Sequence, residues 1–88
     1  MSTSSEARAR LPESVALHAR PAGIVVQRAA RYAAEVQLAA NGRCANAKSI
    51  LEVLALGAEG GTELVITASG DDAAAAVDEL AAVLPQLA

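Results

Sequence analysis

The chain has 88 residues, a formal net charge of −3 and 53% hydrophobic residues, many of them alanine. One domain of this size, spanning 1–88, buries roughly 60–65% of its unfolded surface, which allows one modest core and leaves little room for both a substrate cleft and a cofactor site. Aromatic residues make up 1%, Tyr32 alone, so the core must be aliphatic, and the stacking platforms of single-stranded nucleic-acid binders are missing. Cys44 is the only cysteine, which rules out an internal disulfide and provides no metal-ligand spacing. Residues 1–10 contain no apolar run of the signal-peptide kind, and no stretch of about 18 apolar residues suggests a membrane span. The expectation is a cytoplasmic monomer that uses no metal or cofactor, inserts into no membrane and binds no nucleic acid.

The charges are unevenly placed. All seven bases lie at or before Lys48, against three acids (Glu6, Glu13 and Glu35), a net of +4. The remainder carries seven acids and no base, a net of −7. A basic first half suits phosphate groups or acidic protein partners, although a solvated charged surface would look the same.

Residues 1–6 are small and polar and are expected to fray. Ala7, Ala9 and Leu11 alternate with Arg8, Arg10 and Pro12, a period-2 pattern that predicts a first strand. From Pro21 the chain reads as helix. Ala22, Val25, Val26, Ala29, Ala30 and Ala33 recur at spacings of three and four, with Gln27, Arg28 and Arg31 opposite. Glu35–Ala39 alternates as a strand. Asn41-Gly42 predicts a tight hairpin, because both residues tolerate positive φ. The return strand spans about Arg43 to Asn46.

Ser49-Ile50-Leu51-Glu52 fits a capping box, in which Glu52 reaches back to the N–H of Ser49, and a short helix follows to about Leu56. Gly57 is placed to stop it. Thr62–Ala68 is the clearest strand. Gly70-Asp71-Asp72 opens a last helix with the apolar stripe Val77, Leu80, Ala81, Leu84 and Leu87, and the two aspartates suit the positive end of its dipole. Pro85 makes an irregular end. The order β-α-β-β-α-β-α predicts an α+β fold: an open-faced two-layer sandwich with a four-stranded antiparallel sheet and three helices on one face.

The lone histidine, His18, lies in Leu17-His18-Ala19-Arg20-Pro21-Ala22-Gly23. A phosphoryl carrier needs a nucleophile that is partly neutral near pH 7, and imidazole qualifies. Free N–H groups at a helix start, with the helix dipole, attract the phosphate, and Arg20 adds charge-assisted hydrogen bonds. Pro21 is tolerated in the first turn and is expected to bias Arg20 away from helical angles. A lone histidine at this position is also often a simple cap or surface residue, and the residues by themselves leave both readings open.

Two motifs together resemble one family. Leu-His-Ala-Arg-Pro-Ala, residues 17–22, looks like the active-site motif of HPr, the histidine-containing phosphocarrier of the bacterial phosphotransferase system. Ala47-Lys48-Ser49-Ile50-Leu51 resembles the same family's regulatory-serine motif, at the matching separation. Asn41-Gly42, Leu56-Gly57 and the length agree, so the likeness covers nearly the whole chain.

The resemblance implies an HPr-like phosphocarrier domain with a phosphohistidine intermediate rather than a free-standing enzyme. His18 would accept a phosphoryl group on Nδ1 from phospho-enzyme I, charged by phosphoenolpyruvate, and pass it to enzyme IIA domains of sugar transporters. Arg20 matches the arginine that contacts the phosphoryl group. The family's partner-binding positions fall on Ala19, Gly23, Ile24, Gln27, Lys48, Ile50, Leu51 and Leu54; plain core is the competing reading for the apolar ones. Ser49 has three readings: helix cap, regulatory site for an HPr kinase/phosphorylase that acts with a transcriptional regulator, or shaper of the docking surface.

Ala16 stands where the family commonly has glycine, and Gly23 where it has alanine or serine. A nitrogen-related branch or a regulatory docking module are the alternatives; regulatory relatives lack the histidine. An acyl-carrier reading lacks its Asp-Ser-Leu motif. Gly57–Gly61 follows a helix and precedes a strand, the reverse of the order in a nucleotide loop.

Overall fold

Burial alternates residue by residue along the strands, and that alternation sets the architecture. The computed structural model describes residues 3–88. In chain order these form β1 (Ser4–Arg10), α1 (Ala19–Ala29), β2 (Glu35–Ala40), β3 (Arg43–Asn46), α2 (Ile50–Ala55), β4 (Glu63–Ser69) and α3 (Ala73–Val83), followed by a 3-10 turn at Leu84–Gln86. The sheet order is β1-β4-β2-β3, with every neighbour antiparallel. The expected α+β open-faced sandwich is therefore present.

On the core side of the sheet, Val36, Leu38, Leu64 and Ile66 are buried. On the other side, Glu6, Arg8, Glu35, Gln37, Glu63 and Ser69 face water. The helices cover the first side: α3 packs on β1 and β4, and α1 lies between α2 and α3. Alanine does much of the filling. Ala22, Ala29, Ala45, Ala47, Ala68, Ala73 and Ala76 are all buried, so helix and sheet approach closely without an aromatic between them.

The strand β1 starts earlier than the alternation suggests. The expected fraying of residues 4–6 is corrected: Ser4, Ser5 and Glu6 pair with Ser69, Ala68 and Thr67 of β4. Residues 1–2 of that expectation lie outside the described residues. Helix α1 ends before the predicted stripe does. Ala30 and Ala33 are exposed, because the N–H groups of Arg31 and Tyr32 turn back to the carbonyls of Arg28 and Ala29. The Asp72 carboxylate then captures the N–H groups of Ala33 and Ala34, each at 2.8 Å. Asp72 is thus turned away from its own helix, whose start has no side-chain cap bond.

The hairpin is as expected, with Asn41 at φ 56° and Gly42 at φ 74°. The capping box is only half formed. Ser49 Oγ accepts from the Glu52 N–H at 3.3 Å. Glu52 does not reach back to Ser49; its carboxylate accepts from the Asn46 N–H at 2.9 Å, while the Ser49 N–H is already taken by the Asn46 carbonyl. Gly57, at φ 63°, ends α2 as predicted. The stripe Val77, Leu80, Leu84 and Leu87 is buried, and the chain tightens into the 3-10 turn at Pro85.

Candidate phosphoacceptor site

His18 is exposed and occupies the N-cap of α1, with φ −76° and ψ −175°. Its carbonyl starts the helix by accepting from the Ala22 N–H at 2.9 Å, but its imidazole makes no cap bond. The ring is therefore free. The residue before it is fixed: Leu17 is buried, and its N–H donates to the Ala58 carbonyl at 2.9 Å. Ala58 lies just past the end of α2, so that end of α2 adjoins the His18 loop.

Pro21 is the third residue of α1 and contributes no N–H. Ala19 and Arg20 precede it, and their N–H groups have no partner within the helix. Arg20 is itself helical, which corrects the expectation that Pro21 would hold it in an extended conformation. The first-turn position spares the proline ring a clash with an earlier helical carbonyl, and the Ala22 N–H bond to the His18 carbonyl, which spans Arg20, holds it helical against its local preference.

Arg20 differs from the other bases. Arg8 and Arg10 pair with Glu63, and Arg28 and Arg31 with Glu79. Arg43 donates to the Ala55 carbonyl, and Lys48 to the Tyr32 carbonyl. Among the described residues, Arg20 is the one base without a hydrogen bond or ion pair, and it is exposed beside His18.

The expected docking positions are divided between α1 and α2, which pack against each other. Ala19 and Gln27 are exposed; Gly23 and Ile24 are half-buried. On α2, Ile50, Leu51 and Leu54 are 38%, 77% and 37% exposed, which favours docking over core for Leu54. Lys48 is half-buried and tied to the turn after α1 through the Tyr32 carbonyl at 2.6 Å. Ser49 caps α2.

The cavities lie elsewhere. One of about 340 Å³ sits on the open sheet face between Glu6, Glu35, Gln37, Thr67 and Ser69. Another of about 190 Å³ lies between Gln37, Asn46 and Lys48. Neither is lined by His18 or Arg20, and both of those side chains are exposed on the surface. Among the described residues no group of three His, Cys, Asp or Glu is arranged to hold a metal ion.

The sequence reading missed the clamp that anchors α1. Arg28 near the end of α1, with Arg31 and the Tyr32 hydroxyl in the turn that follows it, all donate to Glu79 of α3, at 3.2, 3.1 and 2.5 Å. The Tyr32 hydroxyl and the arginines hold the Glu79 carboxyl below its usual range, and the same hydrogen bond to Glu79 raises the Tyr32 phenol. A carboxyl with a lowered folded pKa stabilises fully above its ordinary value of about 4.3 and loses that contribution as pH falls through the folded pKa. A phenol with a raised folded pKa stabilises below about 10 and loses its contribution as pH rises through the folded value. Tyr32 is the only aromatic residue, so ultraviolet titration reads it alone. Its midpoint is expected above 10 in the parent and back near 10 in Glu79→Ala; equal midpoints would remove the clamp.

An open-faced β-α-β-β-α-β-α sandwich with an exposed histidine opening its first helix defines a class of small phosphocarriers. Residues 5–86 match the family model described as the PTS HPr component phosphorylation site. The chain belongs to the HPr family of the phosphotransferase system. It is 36% identical over 70 residues to phosphocarrier protein HPr of Mycoplasma capricolum subsp. capricolum, covering 80% of this chain and 79% of that one. A crystal structure of phosphocarrier protein HPr from Bacillus anthracis superposes with a TM-score of 0.86 at 34% identity, covering 92% of this chain and 96% of that chain. The HPr-like protein Crh of Bacillus subtilis is 40% identical over 70 residues, covering 80% and 82%. A crystal structure of Crh superposes with a TM-score of 0.73 at 39% identity over 81% and 82% of the two chains, and is described as a domain-swapped dimer.

Proposed function

We propose that His18 is the phosphoacceptor of a sugar phosphotransferase chain, receiving the group from phospho-enzyme I and passing it to enzyme IIA domains. The observation that carries this reading is the pairing of an unbonded, exposed imidazole with Arg20, the base left unpartnered among the described residues, at an open helix start. Imidazole Nδ1 attacks the phosphorus, the donor's bond to phosphorus breaks, and the donor keeps that electron pair. The N–H groups of Ala19 and Arg20 and the helix dipole stabilise the phosphoryl oxygens, and the Arg20 guanidinium adds a full charge. The open surface lets the same group leave to the next partner.

Ala19, Gly23, Ile24 and Gln27 on α1, with Lys48, Ile50, Leu51 and Leu54 on α2 and its approach, form the docking surface in this reading. Exposed aliphatic residues beside a charged centre suit partners that must bind and release. The protein works in the cytoplasm as a monomer; the swapped dimer described for Crh is the alternative state, and sedimentation distinguishes them. No helix among the described residues is long and apolar enough to cross a membrane.

Incubation with phosphoenolpyruvate and enzyme I should add one acid-labile phosphoryl group, seen by intact mass; no added mass sinks the proposal. Arg20→Ala should slow transfer about 100-fold, the scale for losing one preorganised charge-stabilising donor, without changing the thermal midpoint. A parent-like rate would strip Arg20 of its role.

Regulation at Ser49 is a second reading, supported by the match to the HPr-like Crh and by the serine's place at a helix start. Glu52 one turn away opposes a phosphate there. An HPr kinase with ATP should place an acid-stable phosphate on the parent and none on Ser49→Ala; an unmodified parent would end this reading. His18 itself speaks against a purely regulatory docking module.

A further inference from the structure

The segment that delivers His18 has no regular secondary structure, yet its backbone is fixed from behind. The Leu11 N–H donates to the Thr62 carbonyl at 3.0 Å, the Gly61 N–H to the Pro12 carbonyl at 3.1 Å, and the Leu17 N–H to the Ala58 carbonyl at 2.9 Å. These three bonds lace residues 11–17 to residues 58–62. Leu11, Leu17 and Ala58 are buried, so both strips are pinned to the core. From outside, Arg10 Nη1 reaches the Gly61 carbonyl at 2.6 Å.

Gly60 sits where the two strips come closest. A Cβ there would lie 2.0 Å from the Glu13 carbonyl oxygen, 2.7 Å from the Glu13 carbonyl carbon and 3.1 Å from the Pro12 oxygen. All three are backbone atoms and cannot swing aside. Gly60 does not have positive φ, so the close approach, not the torsion, demands glycine. Gly57 is the converse: φ is 63°, and a Cβ would meet nothing within 4 Å.

We infer that residues 58–62 are the positioning element for phosphoryl transfer at His18, with Gly60 as the positioning residue. The inference rests on the reading of His18 as phosphoacceptor. Leu17 couples the two directly, because its hydrogen bond to Ala58 fixes the Ala16–Leu17 peptide, whose carbonyl in turn accepts from the His18 N–H at 2.8 Å. A side chain at Gly60 pushes Glu13 outward, carries residues 12–17 with it, and shifts the imidazole relative to the first-turn N–H groups of α1. A misplacement of about 1 Å costs on the order of 100-fold in rate.

The test compares Gly60→Ala with Gly57→Ala. Gly60→Ala should slow acceptance from phospho-enzyme I by about 10- to 100-fold. It should also shift the imidazole proton signals, unambiguous because His18 is the only histidine, and change the hydrolysis rate of the phosphohistidine. Gly57→Ala strains the end of α2 and lowers the thermal midpoint, but should transfer within about twofold of the parent. Parent-like transfer and imidazole signals in Gly60→Ala overturn the inference; so does equal slowing in Gly57→Ala.

If Gly60→Ala does not fold, Arg10→Ala decides. Its side chain is exposed, and its removal loosens the same strip from outside, with about threefold slower transfer and shifted imidazole signals expected. Parent-like values there overturn the inference equally. A parent that takes no phosphoryl group overturns the function itself. A parent that does, with variants just as fast, overturns only the positioning role.

Discussion

His18→Ala is expected to abolish acid-labile phosphorylation, from one group per chain to none, while leaving the protein as stable as the parent. The separation of the two effects follows from the local structure. The imidazole is exposed and makes no cap bond, so its removal leaves no unsatisfied partner and no cavity. Surface changes of that kind fall within about 0.5 kcal/mol. The helix is still started by the carbonyl of residue 18, which any residue supplies. Two measurements on one sample settle it: intact mass after incubation with phosphoenolpyruvate and enzyme I, and the thermal midpoint. Persisting acid-labile phosphate would move the acceptor to another residue. A large fall in the midpoint would mean that the loss reports unfolding.

Ile66→Ala is expected to have the largest effect on stability. Ile66 lies in β4, the strand that both β1 and β2 pair with, opposite Ala7 on one side and Leu38 on the other. It is 0% exposed. Truncating such a residue removes transfer free energy and leaves a cavity, together about 2–5 kcal/mol. The neighbouring alanines have no rotamers with which to fill the gap, which favours the upper half of that range. Domains of this length are stable by roughly 4–13 kcal/mol in total. A loss of about 4 kcal/mol lowers the midpoint by roughly 16–32 °C, readable by far-ultraviolet circular dichroism. A fall below about 5 °C would mean that the core collapses around the gap.

Much of this molecule was legible before its fold was known, where the information is local. The turn at Asn41-Gly42, the stop at Gly57, the cap at Ser49 and the alternation in β2 and β4 each depend on a few neighbouring residues. The His18 motif is equally local, and the Ser49 motif at its proper distance made it specific. Most of the misreadings are cases where residues outside the local motif decide. Residues 4–6 look frayed until Ser69, Ala68 and Thr67 are placed beside them. Glu52 looks like a capping-box partner until the Asn46 N–H is found nearer its carboxylate. Asp72 looks placed for the dipole of its own helix until Ala33 and Ala34 are brought to its carboxylate. Glu79 carries no motif, and its three donors meet only because the turn after α1 brings Arg31 and Tyr32 beside Arg28, opposite α3. Gly60 resembles any loop glycine until Glu13 lies against it.

The strand order has a consequence for synthesis on the ribosome. The first strand made, β1, has β4 as its only neighbour in the sheet, and Ser4 pairs with Ser69 near the other end of the chain. During translation β1 therefore emerges with no mate, and only the β2–β3 hairpin can form early from adjacent segments. The sheet closes only after β4 has left the exit tunnel, so β1 and β2 wait for the strand that joins them. Such long-range closure makes folding slower than in a helical bundle of equal length, on the order of milliseconds to seconds. Throughout that wait the nascent chain keeps β1 as an open edge, guarded by the alternating charges Glu6, Arg8 and Arg10 that hold off premature association.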